Sequence, residues 1–310
     1  MGVEPMSEGG PAGSTREQPD GGLPVGAVTS DGEIVTSDSG DDSGRSTLLW
    51  AILGKAWALI VGSSLGFGAT LLSTAVVVAL LLTLSLFSIP RPSSPLVLIS
   101  IQFLFGQLLV MGGLTAAYLW ATGKGLSYLN IRRPTLGHAI VIVLAPFALI
   151  FVNLVVGIAG MAVGVESAPH ALAELENIGP SFYLLLIPFM LLIVGPFEEL
   201  LYRGVIQTRL RQSFGPVGAI GLASVIFMLI HLPAYGLGDT ALASIALSLT
   251  ALFVGSVIFG SIYEWTGNLT VVALVHGVYN SILLVLLYFV SRYEEEIQEL
   301  SQQGVVLVGF

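Results

Sequence analysis

Apolar residues run through this chain in long blocks, interrupted mainly at prolines, glycines and a few charges. A helix needs about 20 such residues to cross the hydrocarbon of a bilayer. Seven blocks qualify: 66–89, 95–121, 138–163, 181–203, 216–232, 240–264 and 269–290. Pro90, Pro92, Pro134, Pro180 and Pro216 stand at block ends, where proline is best tolerated. Residues 47–63 carry Trp50, Lys55 and Trp57 and fit either an interfacial helix or an eighth span. The pattern predicts an all-α, polytopic transmembrane helix bundle of seven to eight spans.

Composition strengthens that prediction. Of the 310 residues, 54% are hydrophobic and 10% charged, against about 25% charged in a soluble domain. There is no cysteine, so disulfides, thiolate metal ligands and a cysteine nucleophile are excluded. The first 46 residues are rich in Gly, Ser, Pro, Asp and Glu and read as a disordered acidic tail. Four segments follow from these shifts: the tail 1–46, membrane helices over 47–179, a second helical set over 180–291, and a short C-terminal tail over 292–310. No basic cluster is large enough to track phosphates, so a nucleic-acid partner is not expected.

Charge gives the helices a sidedness. With seven spans, Arg45, Lys55, Lys124, Arg132, Arg133, Arg209 and Arg211 fall on one side. Arg91, Arg292 and the acidic stretch VESAPHALAELEN fall on the other. The positive-inside rule puts the first set, and the N-terminal tail, in the cytoplasm of a multi-pass cell-membrane protein.

Ionisable side chains inside spans are costly and mark function. Here they are Glu198, Glu199, Arg203, His231 and His276, joined by the polar Asn280. Gln102, Gln107 and Asn153 read as interhelical hydrogen-bonding groups, and His138 and His170 as edge and loop residues. Glu199 and Arg203 are four apart, the good orientation for an ion pair on one helix face. Glu198 projects about 100° away from that arginine. Gly215-Pro216 is a turn signal midway between Glu198 and His231, so a hairpin folded there puts both at one depth. His276 comes from a further helix at a similar depth, with Asn280 one turn on. Pro233 breaks the helix just after His231.

No serine-lysine pair, H-E-x-x-H or G-x-G-D is present in the spans. What remains is a carboxylate, two imidazoles and an amide. Glu198 can take a proton from water that His231 holds. His276 and Asn280, sharing a face, can donate hydrogen bonds to the oxygen of a tetrahedral intermediate. Alternatively, Glu198, His231 and His276 make a zinc first shell with an open position for water. Zinc and metal-free activation are both open at this point.

The series E-E-x-x-x-R (Glu198, Glu199, Arg203), F-x-x-x-H (Phe227, His231) and H-x-x-x-N (His276, Asn280) resembles the three motifs of the CPBP intramembrane proteases. That family is also called Abi or CAAX-protease-like and includes the CAAX prenyl protease 2 group and bacteriocin-processing relatives. The resemblance covers roughly residues 180–290. It implies a membrane endopeptidase, glutamate- or metal-dependent, with its site opening toward the cytoplasm. In such a family the first glutamate and first histidine activate water, and the second histidine and the asparagine bind the substrate carbonyl. Glu199, Arg203 and Phe227 then support the site, and the partners are the bilayer and a membrane-associated protein or peptide substrate. Two other classes fit the polar layer: a proton-coupled transporter, and a non-catalytic scaffold or immunity protein of the same fold.

Overall fold

Long apolar helices account for nearly all of what the computed structural model describes, which is residues 41–170, 179–235 and 240–293. Most of the acidic tail, residues 171–178 of the acidic loop and nearly all of the C-terminal tail lie outside the described residues. Ile52–Phe310 form one compact unit and Met1–Ala51 a separate one. Among the described residues there is no strand.

Six helices are long and apolar enough to cross a membrane, and the chain is a multi-pass membrane protein. The first is α1, Asp41–Leu86. Residues 47–63 fall inside it, so they form neither a separate interfacial helix nor a span of their own. Next come α2, Pro95–Ala121, and α3, Leu136–Ala162. The fourth, Ser181–Ile230, is broken at Gly215 into α4 (181–214) and α5 (216–230). The bundle closes with α6, Leu242–Thr266, and α7, Leu269–Arg292. The expected seven to eight spans are thus six long helices, one of them folded back on itself.

The fold-back has a local cause. Gly215 sits at φ 68°, ψ 179°, open to glycine at no steric cost, and Pro216 starts the new helix where its missing N–H is harmless. The two arms then pack on each other. Leu201, Tyr202, Ile206 and Leu210 of α4 share a buried cluster with Ala219, Ala223, Ile226 and Phe227 of α5. The tip is held to α6 by Arg211 Nε and Glu264 Oε1, 2.5 Å apart.

Apolar attraction cannot drive this assembly, because lipid is as apolar as leucine; close packing must. A close backbone-to-backbone contact joins α4 to α7. A Cβ on Gly195 would lie 2.7 Å from Gly277 N and 2.9 Å from Ala273 O. A Cβ on Gly277 would lie 2.9 Å from Met190 O. The two backbones therefore touch, and this contact sets Glu198 and Glu199 of α4 beside His276 of α7. Lipid-facing positions are left to large apolar side chains such as Trp120, Leu136, Leu192 and Leu242, all well exposed.

Three stretches have the wider π geometry: Gln102–Met111 in α2, and Met190–Val194 and Leu200–Gln207 in α4. Such segments are rare and gather at functional sites, because an extra residue per turn re-aims the side chains around it. Here two of them flank Gly195–Glu199, the short α-helical piece that carries both glutamates.

Gly195→Ala should lower the thermal midpoint in detergent, at a cost of about 1–3 kcal/mol, because the added methyl meets backbone that cannot rotate away. Scanning fluorimetry of the purified variant checks this; an unchanged midpoint would mean α4 and α7 can separate freely.

Candidate functional site

Glu199 is fully buried and its Oε1 accepts two hydrogen bonds. One comes from Arg203 Nη1 at 2.9 Å. The other comes from His276 Nδ1 at 2.7 Å. The i,i+4 ion pair expected from spacing is present, and Glu199 also orients an imidazole 77 residues away. Arg203 spends its other terminal nitrogen on Ser256, donating to the carbonyl at 3.1 Å and to Oγ at 2.9 Å. Its guanidinium lies over the rings of Phe227 and Phe259, 4.9 and 5.4 Å from their centroids. A buried cation is thereby paired, hydrogen-bonded and stacked on two π faces.

The same rings hold His276. Phe259 stacks on it with centroids 4.7 Å apart, and Phe227 meets it edge-on at 6.3 Å. With Nδ1 on the Glu199 carboxylate, the other nitrogen, Nε2, points to Glu198, 3.8 Å from Oε2. That gap is too long for a direct hydrogen bond and is the kind a water or a substrate atom spans. Glu198 is almost fully buried, and its Oε1 accepts from Gln107 Nε2 of α2 at 2.9 Å.

His231 caps α5, and its Nδ1 meets the Phe227 carbonyl at 2.8 Å. A carbonyl only accepts, so Nδ1 donates this hydrogen bond and Nε2 is the ring's other nitrogen. The ring packs on Phe227 with centroids 4.5 Å apart, so Phe227 touches both imidazoles. Asn280 stands on α7 one turn beyond His276, half-buried, and among the described residues its side chain makes no hydrogen bond.

The structure thus joins Glu198 directly to His276, and His231 to them through the Phe227 ring. The metal alternative fares differently. Among the described residues no three of His, Asp and Glu group as ligands for a metal ion, so Glu198, His231 and His276 do not fit the zinc shell considered above, and no step here runs through a metal.

Four residues around the site were not singled out by sequence. Gln107 reads along the chain as an ordinary interhelical amide. Ser256 and Phe259 lie in an apolar helix with no ionisable group near the layer. His170 reads as a loop residue, yet it meets Tyr235 edge-on at 5.6 Å, just past His231. Its segment is tied down: Ala168 N donates to Ser244 O at 3.3 Å, and Ser248 Oγ to Ala168 O at 3.1 Å. Burial, with the charge of His231 adding to it, pushes the His170 imidazole down to about 4. Burial likewise pushes the Tyr235 phenol up to about 12. α5 spans roughly 22 Å at 1.5 Å per residue, less than the roughly 30 Å of hydrocarbon. The His170 ring packs beside the turn that ends α5.

Residues 180–282 match the family described as Type II CAAX prenyl endopeptidase Rce1-like. The match takes in α4, α5, α6 and most of α7, the helices that carry Glu198, His231, His276 and Asn280. It names the same family that the three motifs resemble. No curated protein and no solved structure matches the chain.

Two outcomes test the electrostatics. Arg203→Met leaves Glu199 buried without its cation and should destabilise the fold by about 3–5 kcal/mol, read as a lowered thermal midpoint. For His170, a folded value of about 4 lies below the ordinary 6.5, so the unfolded chain binds more protons between the two. Stability then falls as pH drops from 6.5 to 4. His170→Phe should flatten that slope in midpoint-against-pH measurements; an equal slope in both proteins would contradict the burial of His170.

Proposed function

We propose that this protein is an intramembrane endopeptidase that hydrolyses a peptide bond of a membrane-associated protein or peptide with water activated by Glu198. The observation that carries the reading is the 3.8 Å gap between Glu198 Oε2 and His276 Nε2, with Glu199 clamped on the far side of the same imidazole. A proton acceptor and a hydrogen-bond donor for a developing oxyanion stand next to each other, close enough for one reacting centre to sit against both. The family match over residues 180–282 supports a peptidase of this kind.

In this reading Glu198 takes a proton from a water whose position His231 Nε2 helps to hold. The hydroxide adds to the carbonyl carbon, and the carbonyl oxygen becomes an oxyanion. His276 meets it through Nε2, while the buried Glu199 carboxylate holds the ring by Nδ1. Asn280, one turn away on α7, supplies an amide N–H to the same oxygen. The carbon–nitrogen bond then breaks, and the proton held by Glu198 passes to the departing amine. Arg203 pairs with Glu199, and Phe227 spaces the two histidines. The basic loops around Arg132, Arg133, Arg209 and Arg211 support a site in reach of the cytoplasm, by the positive-inside rule. A relay of the same groups could serve proton-coupled transport, but peptide hydrolysis separates the two readings.

Glu198→Ala should lower the cleavage rate of a membrane-tethered fluorogenic peptide by about 10²–10⁴-fold. Asn280→Ala should cost about 10²–10³-fold, the usual toll for one oxyanion donor. Initial rates in detergent or proteoliposomes measure both, and undiminished hydrolysis by Glu198→Ala would remove Glu198 from the base role.

A further inference from the structure

Glu198 has one hydrogen-bond partner among the described residues, and it lies outside the matched helices. Arg203 is committed to Glu199 and Ser256. His276 Nε2 stands off at 3.8 Å. Only Gln107 Nε2, 2.9 Å from Glu198 Oε1, fixes the carboxylate's rotation. The amide's orientation is dictated by chemistry, because the reverse flip would set an oxygen acceptor against a carboxylate. Gln107 Oε1 is left buried without a partner, and such a group in a native interior calls for a water or a ligand atom.

The backbone around Gln107 is built to hold this placement. Gln107 sits in the π stretch Gln102–Met111. Ser73 Oγ of α1 donates to Gly106 O at 3.0 Å, anchoring the residue before it. A Cβ on Gly112 would come within 2.9 Å of the Phe197 ring, so α2 is pressed onto α4 beside Glu198.

We propose that Gln107 is the positioning residue of the hydrolytic base: it grips Glu198 Oε1, turns Oε2 toward His276, and offers its own Oε1 as an acceptor to the water that Glu198 deprotonates. This rests on the hydrolytic reading above. Loss of the grip leaves substrate binding intact and misplaces the base, and a displacement on the order of 1 Å costs about 10²-fold in rate.

The test compares steady-state cleavage of a membrane-tethered fluorogenic peptide by the full-length protein, Gln107→Leu, Gln107→Glu and Gln102→Leu. Gln107→Leu should lose about 10²-fold in kcat with KM within about twofold. Gln107→Glu should lose at least as much, since it faces one carboxylate with another. Gln102→Leu, on the same π stretch, should keep kcat within about twofold. Thermal midpoints of Gln107→Leu, Glu198→Gln and the double variant should be non-additive, as for groups in contact. Gln107→Met, of similar length, replaces the leucine variant if that one fails to fold. An active wild type with unchanged kcat in Gln107→Leu, or an effect confined to KM, overturns the positioning role alone. Additive midpoints overturn the contact. A wild type that cleaves no peptide overturns the hydrolytic reading, and the positioning role with it.

Discussion

A carboxylate that cannot reach water governs this structure. Glu199 is sealed from solvent inside a helix bundle, where an isolated charge would cost several kcal/mol even after relaxation. Its Oε1 is therefore shared between Arg203 and His276, and each partner is held in turn. Ser256 and two aromatic rings hold Arg203, while Phe259 holds His276. Because one oxygen serves both, the ion pair that neutralises α4 also sets the angle of the imidazole on α7. Stability and positioning come from the same contact here, which is why the pair cannot be assigned to structure alone.

Charge pairing would be useless without the approach that permits it. Gly195 and Gly277 let two backbones touch, and each lies within four residues of a group it helps to place. The π stretches on either side of Gly195–Glu199 shift the rotation of α4, so that Glu198 and Glu199 serve two different neighbours. Glu199 looks to Arg203 and α7, and Glu198 to α2 and α7. In an environment with no hydrophobic drive between helices, small residues and shared hydrogen bonds carry the packing, and here both coincide at one layer.

The polar groups that look unremarkable along the chain are the ones the fold uses most specifically. Gln107 could be an interhelical amide by its neighbours in sequence, but its donor meets Glu198 and its acceptor meets nothing among the protein groups. His170 looks like a loop histidine, but its segment covers the turn that ends α5. Neither assignment can be made from local composition, since a mid-span glutamine is equally at home facing any neighbouring helix.

By itself the sequence determined what depends on near neighbours. Hydrophobic blocks of membrane length dictated a helical bundle. Gly215-Pro216 dictated the reversal between α4 and α5, and the four-residue spacing dictated the Glu199–Arg203 pair. The count of separate spans was less legible, because α1 runs on through 47–63 without a turn signal strong enough to stop it. Everything that joins distant segments was settled by tertiary structure alone. Gln107 meets Glu198 across 91 positions, Glu199 meets His276 across 77, and Arg203 meets Ser256 across 53. Periodicity tells which face of a helix is polar; which neighbour that face meets depends on rotation and depth, and these are fixed by glycine contacts and π turns that leave no periodic trace.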